Sequence, residues 1–349
     1  MGARQLAVVT NDRETSTEVG LNEKRDILAF FKEPGNEAMR AEFLKLSKVS
    51  NVKGAFSIAR QWTAIAAAVL FATTFKQWWS YGIAMLIIST RQHALGIIMH
   101  EATHWRLFSK KWANDLFGNI FCAFPTNMTV SRYRYEHLLH HQYNMEQNDP
   151  YKRDWDADSH WYWPKTQGQA FWLFFKDLLS LNMSHLGPTL FRWSPWANHF
   201  SNQASSQNSG PRLPLSERLS LYGYLAVVAT GLTLSGNWIN FLLLWMLPMS
   251  TLAALFVRIR SVVEHLNLPG QNEFNRSRHV DASLLERLTV APLNINIHIA
   301  HHLYPSVPQY NLPRMHQLLL QYPVYRQEAR MYDTYFSFGK RAYSEMIKK

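Results

Sequence analysis

The chain has one cysteine and few charged residues. A single cysteine in 349 residues, Cys122, excludes an internal disulfide and any zinc or iron–sulfur site built on cysteines. Charged residues make up 17% of the chain and hydrophobic residues 47%, whereas typical soluble domains have about 25% charged residues. The shortage of charge favours a membrane protein. The mean hydropathy of -0.23 nevertheless requires large polar parts outside the bilayer.

The charge that is present is unbalanced. There are 36 Lys and Arg residues against 25 Asp and Glu, which gives a net charge of +11. A basic surface suits nucleic acid and anionic lipid headgroups equally well, but no basic run carries a nucleic-acid recognition motif. We therefore expect a membrane as the partner and no nucleic acid.

Four apolar segments are grouped in two pairs, at about 58–77 with 80–99 and at about 219–235 with 238–257. Each is close to the ~20 residues that a helix needs to cross ~30 Å of hydrocarbon. If both turns face outside, Lys76 is the only external Lys or Arg of the 36 in the chain. The positive-inside rule then places both termini and the region between the pairs in the cytoplasm.

The segments predict an all-α integral membrane protein with four transmembrane helices in two hairpins and a cytoplasmic helical cap that carries the histidine boxes. Residues 1–57 are expected to form a polar N-terminal tail and pre-membrane segment, and residues 58–345 the membrane domain. Stretches between the hairpins are too short or too interrupted to span, and suit helices that lie along the membrane face. Buried helices of a soluble all-α protein are the alternative.

Nine of the fifteen histidines fall in short motifs or beside an apolar segment. Positions i, i+3 and i+4 of a helix share one face, so an HxxxH motif and two HxxHH boxes each direct two or three imidazoles into one space. The nine are His100, His104, His137, His140, His141, His265, His298, His301 and His302. The others are expected to be ordinary core or surface residues: His93, His160, His185, His199, His279 and His316.

The sequence HEATH also contains HExxH, the motif of zinc proteases in which the glutamate, here Glu101, acts as general base. An intramembrane zinc protease would use His100, His104 and one further ligand, and would leave most of the clustered histidines without a role. Nine neutral imidazoles suit two metals with four or five ligands each. Imidazole binds iron, copper and zinc alike, so the residues alone do not choose the metal.

The order and spacing of HEATH, RYRYEHLLHHQYNMEQNDP and NINIHIAHHLYP, among apolar segments grouped two and two, closely resemble the membrane fatty acid desaturase and hydroxylase superfamily. The resemblance covers about residues 58–315. It implies that the nine histidines named above hold two non-haem iron ions that activate O2. It also implies desaturation of a fatty acyl chain or lipid, with a hydroxylase or ketolase on the same scaffold as the alternative.

The resemblance extends to residues and partners around the boxes. Asn294, four residues before His298, matches the family pattern, whereas Ser261 stands where some acyl-CoA desaturases have an asparagine, and that role is not carried over. The chain has no HPGG haem-binding motif, so the resemblance implies a separate electron-transfer protein of the ferredoxin or cytochrome b5 type with its reductase. A metal-storing or metal-sensing membrane protein is the non-enzymatic alternative.

Two further groups of polar residues stand near the boxes. Glu101, Glu136 and Glu264 each adjoin one of the nine histidines, and an offset of one residue turns them about 100° away from the ligand face. We expect them to orient the ligands. Arg91, Gln92 and His93 lie inside the second apolar segment, where they either line a substrate entrance or bond between helices.

Overall fold

The computed structural model describes residues 31–196, 212–268, 270, 272–336 and 339–348. These residues are mainly helical. In chain order the α-helices are α1 (Glu37–Leu46), α2 (Asn51–Phe75), α3 (Trp78–Thr103), α4 (Lys111–Gly118), α5 (Val130–Tyr143), α6 (Pro150–Ala157), α7 (Gln167–Leu178), α8 (Met183–Trp193), α9 (Leu215–Ser235), α10 (Trp238–Phe241), α11 (Ala254–His265), α12 (Leu284–Leu288), α13 (His298–Leu303), α14 (Leu312–Leu319) and α15 (Pro323–Glu328).

The described residues also contain one small sheet and several short helical turns. Strands β1 (His279–Val280) and β2 (Met331–Tyr332) pair in parallel. The 3₁₀ turns are Phe124–Thr126, Ser159–Trp161, Pro292–Asn294, Gln309–Asn311 and Ala342–Met346, and the π-helical turns are Asn119–Ala123, Leu242–Met246 and Met249–Ala253.

Three helices in the described part of the chain are long and apolar enough to cross a membrane. They are α2, α3 and the continuous helix Trp238–His265, which joins α10 to α11 through two π-helical turns on either side of Pro248. π-helical turns let a helix continue where a proline removes one of its backbone hydrogen bonds. The predicted segments 80–99 and 238–257 lie within such helices. The segment 58–77 runs just past the end of α2, and because α2 starts at Asn51 the predicted boundary after residue 57 falls inside it.

The segment predicted at 219–235 lies in α9, which is helical but less apolar than the other three. Glu217 and Arg218 stand in its first turn, so the apolar part of the helix is short. Glu217 is buried, and its carboxylate accepts hydrogen bonds from Asn119 Nδ2 at 3.0 Å and from the Ser131 amide at 3.5 Å. Among the described residues, the helices that qualify as spans by length and apolarity are therefore three, against the predicted four.

The second half of α3 is the centre of the molecule. From Ile88 to Thr103 all but two of its side chains are buried, against α2, α5 and the helix Trp238–His265. A helix surrounded on all sides can hold polar groups in the interior only where neighbouring elements supply partners. The end of α3 therefore brings His100 and His104 into the middle of the structure.

Candidate metal centre

All nine motif histidines meet in one buried region. They come from the end of α3, from α5, from the end of α11 and from α13, and none exposes more than 6% of its surface. Elements separated by up to 200 residues in sequence thus deliver imidazoles to one place. Burial removes the ring nitrogens from water, so each nitrogen needs a hydrogen-bond partner or a metal ion inside the protein.

Five of the nine form one group, the five-histidine cluster. One ring nitrogen from each lies within 4.8 Å of the corresponding nitrogens of all the others. The members are His100, His104, His137, His141 and His301. Nε2 of His141 lies 3.0 Å from Nε2 of His137 and 3.1 Å from Nε2 of His301.

The remaining four, His140, His265, His298 and His302, form the four-histidine cluster beside it. Nε2 of His298 lies 2.7 Å from Nε2 of His265 and 3.1 Å from Nε2 of His302. His140, His265 and His302 also bring their ligand nitrogens within 4.8 Å of one another. The two clusters adjoin, since the rings of His141 and His302 stack with centroids 4.3 Å apart.

Each HxxHH box is divided between the two clusters in the same way. The first and last histidines of a box enter one cluster and the middle histidine enters the other. Residues i and i+4 are about 40° apart around a helix, whereas i+3 lies about 60° on the other side of i. Helix geometry thus explains why α5 and α13 each supply both clusters.

The arrangement fits metal ions held by imidazole. A neutral imidazole has one N–H and one lone pair, yet Nε2 of His141 and Nε2 of His298 each face two other Nε2 atoms. His100 has no hydrogen-bond partner on either ring nitrogen, and His104 has none on Nε2. Buried ring nitrogens that converge on one space, some with two neighbouring nitrogens and some with no partner, are the arrangement of a metal site.

Burial keeps these imidazoles neutral. Burial, with help from Arg106 and Arg134, lowers the pKa of His104 to about 3. Burial is also the main cause that lowers the pKa well below 6.5 for His137, His141, His298, His301 and His302. Because a metal binds the neutral form, the clusters offer lone pairs throughout the physiological pH range.

Asp149 orients one of the clustered histidines, a role not predicted from the sequence. Its Oδ2 accepts a hydrogen bond from His140 Nδ1 at 2.8 Å, which leaves Nε2 of His140 directed into the four-histidine cluster. A carboxylate that holds the far nitrogen of a histidine fixes its tautomer and ring orientation. The sequence does carry a signal, because an aspartate directly before a proline, as in NDP, is typical of a helix N-cap.

Tyr151 and Tyr133 line the same side of the clusters. Tyr151 places its hydroxyl 3.3 Å from His137 Nδ1 and stacks on the ring of His140 with centroids 4.5 Å apart. Tyr133 stacks on His137 at 5.0 Å. The histidines of the HxxHH box in α5 are therefore held by aromatic rings as well as by hydrogen bonds.

The three glutamates beside the boxes have different surroundings. Glu101 accepts a hydrogen bond from the Gln309 amide at 2.8 Å, and its other oxygen lies 3.9 Å from His100 Nδ1. Glu136 accepts from Trp193 Nε1 at 2.7 Å. The contacts of Glu136 thus brace α5 against α8, whereas the expectation was a role in orienting a ligand.

Glu264 differs from the other two glutamates because one of its oxygens faces ligand nitrogens. Its Oε2 lies 3.6 Å from Nε2 of His298, and its Oε1 accepts a hydrogen bond from the Tyr335 hydroxyl at 3.1 Å. The carboxylate is fully buried.

Arg278 fixes the end of the helix that carries His265, and the sequence reasoning missed it too. Its guanidinium donates to the carbonyls of Val263, Leu266 and Asn267 at 2.8, 2.7 and 3.0 Å. It also donates to Glu345 at 2.9 Å. The last carbonyls of a helix have no partner within the helix, and a buried arginine supplies donors for them here.

Other residues singled out in the sequence have structural partners. Asn294 has a left-handed φ of 60° and donates from Nδ2 to the carbonyl of Gln309 at 3.1 Å, so it holds the segment that contacts Glu101. Ser261 donates to the carbonyl of Val257 at 2.9 Å within its own helix.

The polar group inside α3 bonds between elements. Arg91 donates to Gln61 on α2 at 3.1 Å, and Gln92 donates to the carbonyl of Trp245 at 2.8 Å. Nδ1 of His93 lies 3.1 Å from the Thr289 carbonyl. These contacts agree with the second of the two roles considered for them, bonding between helices.

Two of the histidines expected to be ordinary form a third, smaller group. His160 and His185 both place Nδ1 3.0 Å from the carboxylate of Asp158. Asp158, His160 and His185 are half-buried, and the contact between His185 and Asp158 joins α8 to the turn at Ser159–Trp161. His199 lies outside the described residues.

Comparisons with known proteins support the family resemblance that the histidine motifs indicate. A sequence model of the family described as fatty acid desaturase matches residues 76–335, a range that includes all nine clustered histidines. Dihydrorhizobitoxine desaturase of Bradyrhizobium elkanii is 27% identical over 302 residues, which cover 85% of this chain and 84% of the relative. The sn-1 oleoyl-lipid 12-desaturase of Anabaena variabilis is 23% identical over 258 residues, 67% of each chain. The chloroplastic omega-6 fatty acid desaturase of Glycine max is 24% identical over 270 residues, 72% of this chain and 58% of the relative.

Proposed function

The chain belongs to the fatty acid desaturase family, and we propose that it is a membrane-bound di-iron oxidoreductase that desaturates a fatty acyl chain or lipid with O2. The observation that carries the proposal is the division of nine buried histidines into clusters of five and four. Two adjacent sets of imidazoles suit two metal ions, and family membership favours iron among the metals that imidazole binds.

Two non-haem iron ions, when bound, would supply the reducing power and open coordination positions that turn O2 into an oxidant able to attack an unactivated methylene. The nine histidines would hold them, and Asp149 would keep the proton of His140 on Nδ1 so that the Nε2 lone pair faces the metal. The burial of all nine imidazoles keeps bulk water away from the site.

The balance of the reaction requires a second protein. Desaturation removes two hydrogens from the acyl chain while one O2 becomes two waters, which consumes two further electrons and two protons. We propose that the electrons come from a separate electron-transfer protein of the ferredoxin or cytochrome b5 type, itself reduced by its reductase.

We further propose four spans, with both termini and the metal centre on the cytoplasmic side. The fourth span would be α9. Its surface supports this placement, because the side chains of Leu219, Val227 and Leu234 are 61%, 73% and 83% exposed and would face lipid. The positive-inside asymmetry described above supports the orientation.

The relatives suggest which substrates to try first. Two of them are named for desaturating an oleoyl lipid and an omega-6 fatty acid, and the third for dihydrorhizobitoxine. We therefore propose an acyl lipid as the substrate. A substrate panel should also contain dihydrorhizobitoxine, because the match to the desaturase named for it covers 85% of this chain and 84% of the relative.

The metal content of detergent-purified protein tests the proposal. We expect about two irons per chain, and loss of iron when His140 or His301 is changed to alanine. His160→Ala, outside the nine, is the control and should keep both irons. One zinc per chain that is lost with His104→Ala but kept with His301→Ala would contradict the proposal and favour a zinc protease.

Products distinguish the enzymatic alternatives once iron is established. Iron-loaded protein with O2, reductase, donor and a lipid panel should give a product that is two mass units lighter, with a new double bond. A product with a new hydroxyl would move the assignment to a hydroxylase. Iron binding without O2 consumption on any lipid would favour a storage or sensing role.

A further inference from the structure

The two histidine clusters are unequal, and a carboxylate stands beside the smaller one. The five-histidine cluster offers five nitrogens, whereas the four-histidine cluster offers four. Glu264 precedes His265 in the sequence and lies next to the smaller cluster. Its carboxylate oxygen, Nε2 of His298 and the ligand nitrogen of His265 all lie within 4.8 Å of one another.

The two oxygens of Glu264 have different partners. Oε1 accepts the hydrogen bond from the Tyr335 hydroxyl at 3.1 Å. Oε2 is buried, accepts no hydrogen bond, and lies 3.6 Å from Nε2 of His298. The cation beside Oε2 is Arg260, with Nε 3.5 Å away. One oxygen is thus fixed by a phenol, and the other accepts no hydrogen bond and lies beside Arg260 on the side where the ring nitrogens converge.

The other glutamates beside the boxes lack this geometry. Oε2 of Glu136 accepts a hydrogen bond from Trp193 Nε1, and Oε2 of Glu101 accepts one from the amide of Gln309. Neither belongs to a group of ligand atoms in which every atom lies within 4.8 Å of the others, whereas Glu264 does. Adjacency to a histidine in the sequence therefore does not by itself explain the position of Glu264.

Charge also favours a carboxylate at this place. Nine neutral imidazoles bring no negative charge to two buried metal ions, and buried charge is costly unless it is compensated. Asp149 contacts only Nδ1 of His140, on the far side of the ring from the cluster, whereas Oε2 of Glu264 lies 3.6 Å from Nε2 of His298, among the nitrogens that would face a metal. We propose that Glu264 is the fifth ligand of the metal in the four-histidine cluster, bound through Oε2. This assignment rests on the proposed iron site.

The test uses full-length, iron-loaded protein and two readouts besides activity: iron per chain, and the ⁵⁷Fe Mössbauer spectrum of the reduced protein. Glu264→Gln keeps the size of the side chain and removes its charge. We expect iron to fall from about two per chain to about one, because loss of a ligand weakens one site selectively. The remaining doublet should be that of the five-histidine cluster.

Two variants distinguish a metal ligand from a residue that only holds the helix in place. Tyr335→Phe removes the hydrogen bond to Oε1 and leaves Oε2 in place, so we expect both irons and both doublets to remain. Glu136→Gln changes the glutamate in the equivalent position before His137, and should also keep both irons. If Glu264 only braced the helix through Tyr335, Tyr335→Phe would reproduce the loss of iron seen with Glu264→Gln, and the ligand assignment would be wrong.

Unchanged iron content and unchanged Mössbauer parameters in Glu264→Gln would also overturn the assignment, while two irons in the wild type would still support the proposed function. A wild-type protein that binds no iron would overturn both. If Glu264→Gln does not give monodisperse protein, Glu264→Asp carries the test. It keeps the charge beside Arg260 but withdraws the carboxylate by one methylene, so weaker binding of one iron supports the assignment and wild-type binding of both overturns it.

Discussion

Asp149 Oδ2 lies 2.8 Å from His140 Nδ1, and both side chains are at least 99% buried. The same carboxylate accepts the amides of Met145 at 2.8 Å and Tyr151 at 2.9 Å. One residue therefore closes the loop after α5, caps α6 and sets the direction of a proposed ligand. This combination makes Asp149 a sharper probe of the centre than the histidines themselves, because it can be changed without removing a ligand.

Asp149→Asn should weaken metal binding without unfolding the protein. Asparagine is as good an N-cap as aspartate, so α6 should form, but the amide cannot hold the Nδ1 proton of His140 as a carboxylate does. We expect affinity for one iron to fall by about 10- to 100-fold, as with other partners of metal-bound histidines. Iron titration against a chelator measures this. Asp156→Asn, at an exposed ion pair with Lys152, is the matched control and should bind iron normally.

Arg278→Met should destabilise the protein. The change leaves three carbonyls at the end of α11 without donors and leaves Glu345 without its buried partner. We expect a loss of about 3 kcal/mol, measured as a lower unfolding temperature of the detergent-purified protein. Arg330→Met is the control. Arg330 contacts the same Glu345 at 3.9 Å with a side chain 41% exposed, so its loss should cost less than about 1 kcal/mol.

His316 should make stability fall in mild acid. Burial, aided by the stacked ring of His279, lowers the pKa of His316 to about 3, against 6.5 for a free imidazole. The unfolded chain then binds a proton that the folded chain does not, between pH 6.5 and about pH 3. The contribution to stability is present above pH 6.5 and is lost, by up to about 1.4 kcal/mol per pH unit, as the pH falls through that window.

Unfolding temperatures at pH 7.5, 6.0 and 5.0 check this expectation on iron-loaded protein. His316→Asn should show a shallower decline than the wild type, because it removes the group that titrates. Tyr325→Phe removes the phenol 2.9 Å from His316 Nδ1 but keeps the imidazole buried, so it should keep the steep decline. An equal decline in the wild type and His316→Asn would contradict the assignment.

Cysteine labelling tests the four-span topology. In a Cys122→Ala background, Lys76→Cys and Asn237→Cys mark the two turns, and both positions are exposed. A membrane-impermeant maleimide should label both in intact cells, and should label Arg314→Cys only after the cells are permeabilised. Labelling of Lys76→Cys together with protection of Asn237→Cys would remove α9 as a fourth span.

The convergence of the histidines could be predicted because it depends on short spacings. HxxxH and HxxHH place their histidines on one side of a helix whatever the surrounding fold, and all nine named histidines do lie together. Family membership is confirmed by the match to residues 76–335. The helices at 80–99 and 238–257 followed from apolar length in the same local way.

What depends on distant contacts was not predicted. Arg278 caps α11 because the chain returns to it after the helix has ended, and no local pattern marks such an arginine. Glu136 and Glu264 each directly precede one of the nine histidines, yet one contacts Trp193 and the other faces His298. The difference arises from the neighbouring elements. At the segment 219–235, Glu217 and Arg218 shorten the apolar run. The partner of Glu217 is Asn119, 98 residues earlier in the chain, and no sequence pattern indicates this pair.

The division of both HxxHH boxes between the clusters has a consequence for how the centre is assembled. If the clusters hold the two proposed ions, α5 and α13 each supply both sites. The first ion to bind would then immobilise helices that the second ion also requires, and the second would bind at a lower entropic cost. We expect filling of the centre to be cooperative. At limiting iron, a preparation would then contain empty and doubly loaded molecules with few singly loaded ones, and its activity would follow the doubly loaded fraction.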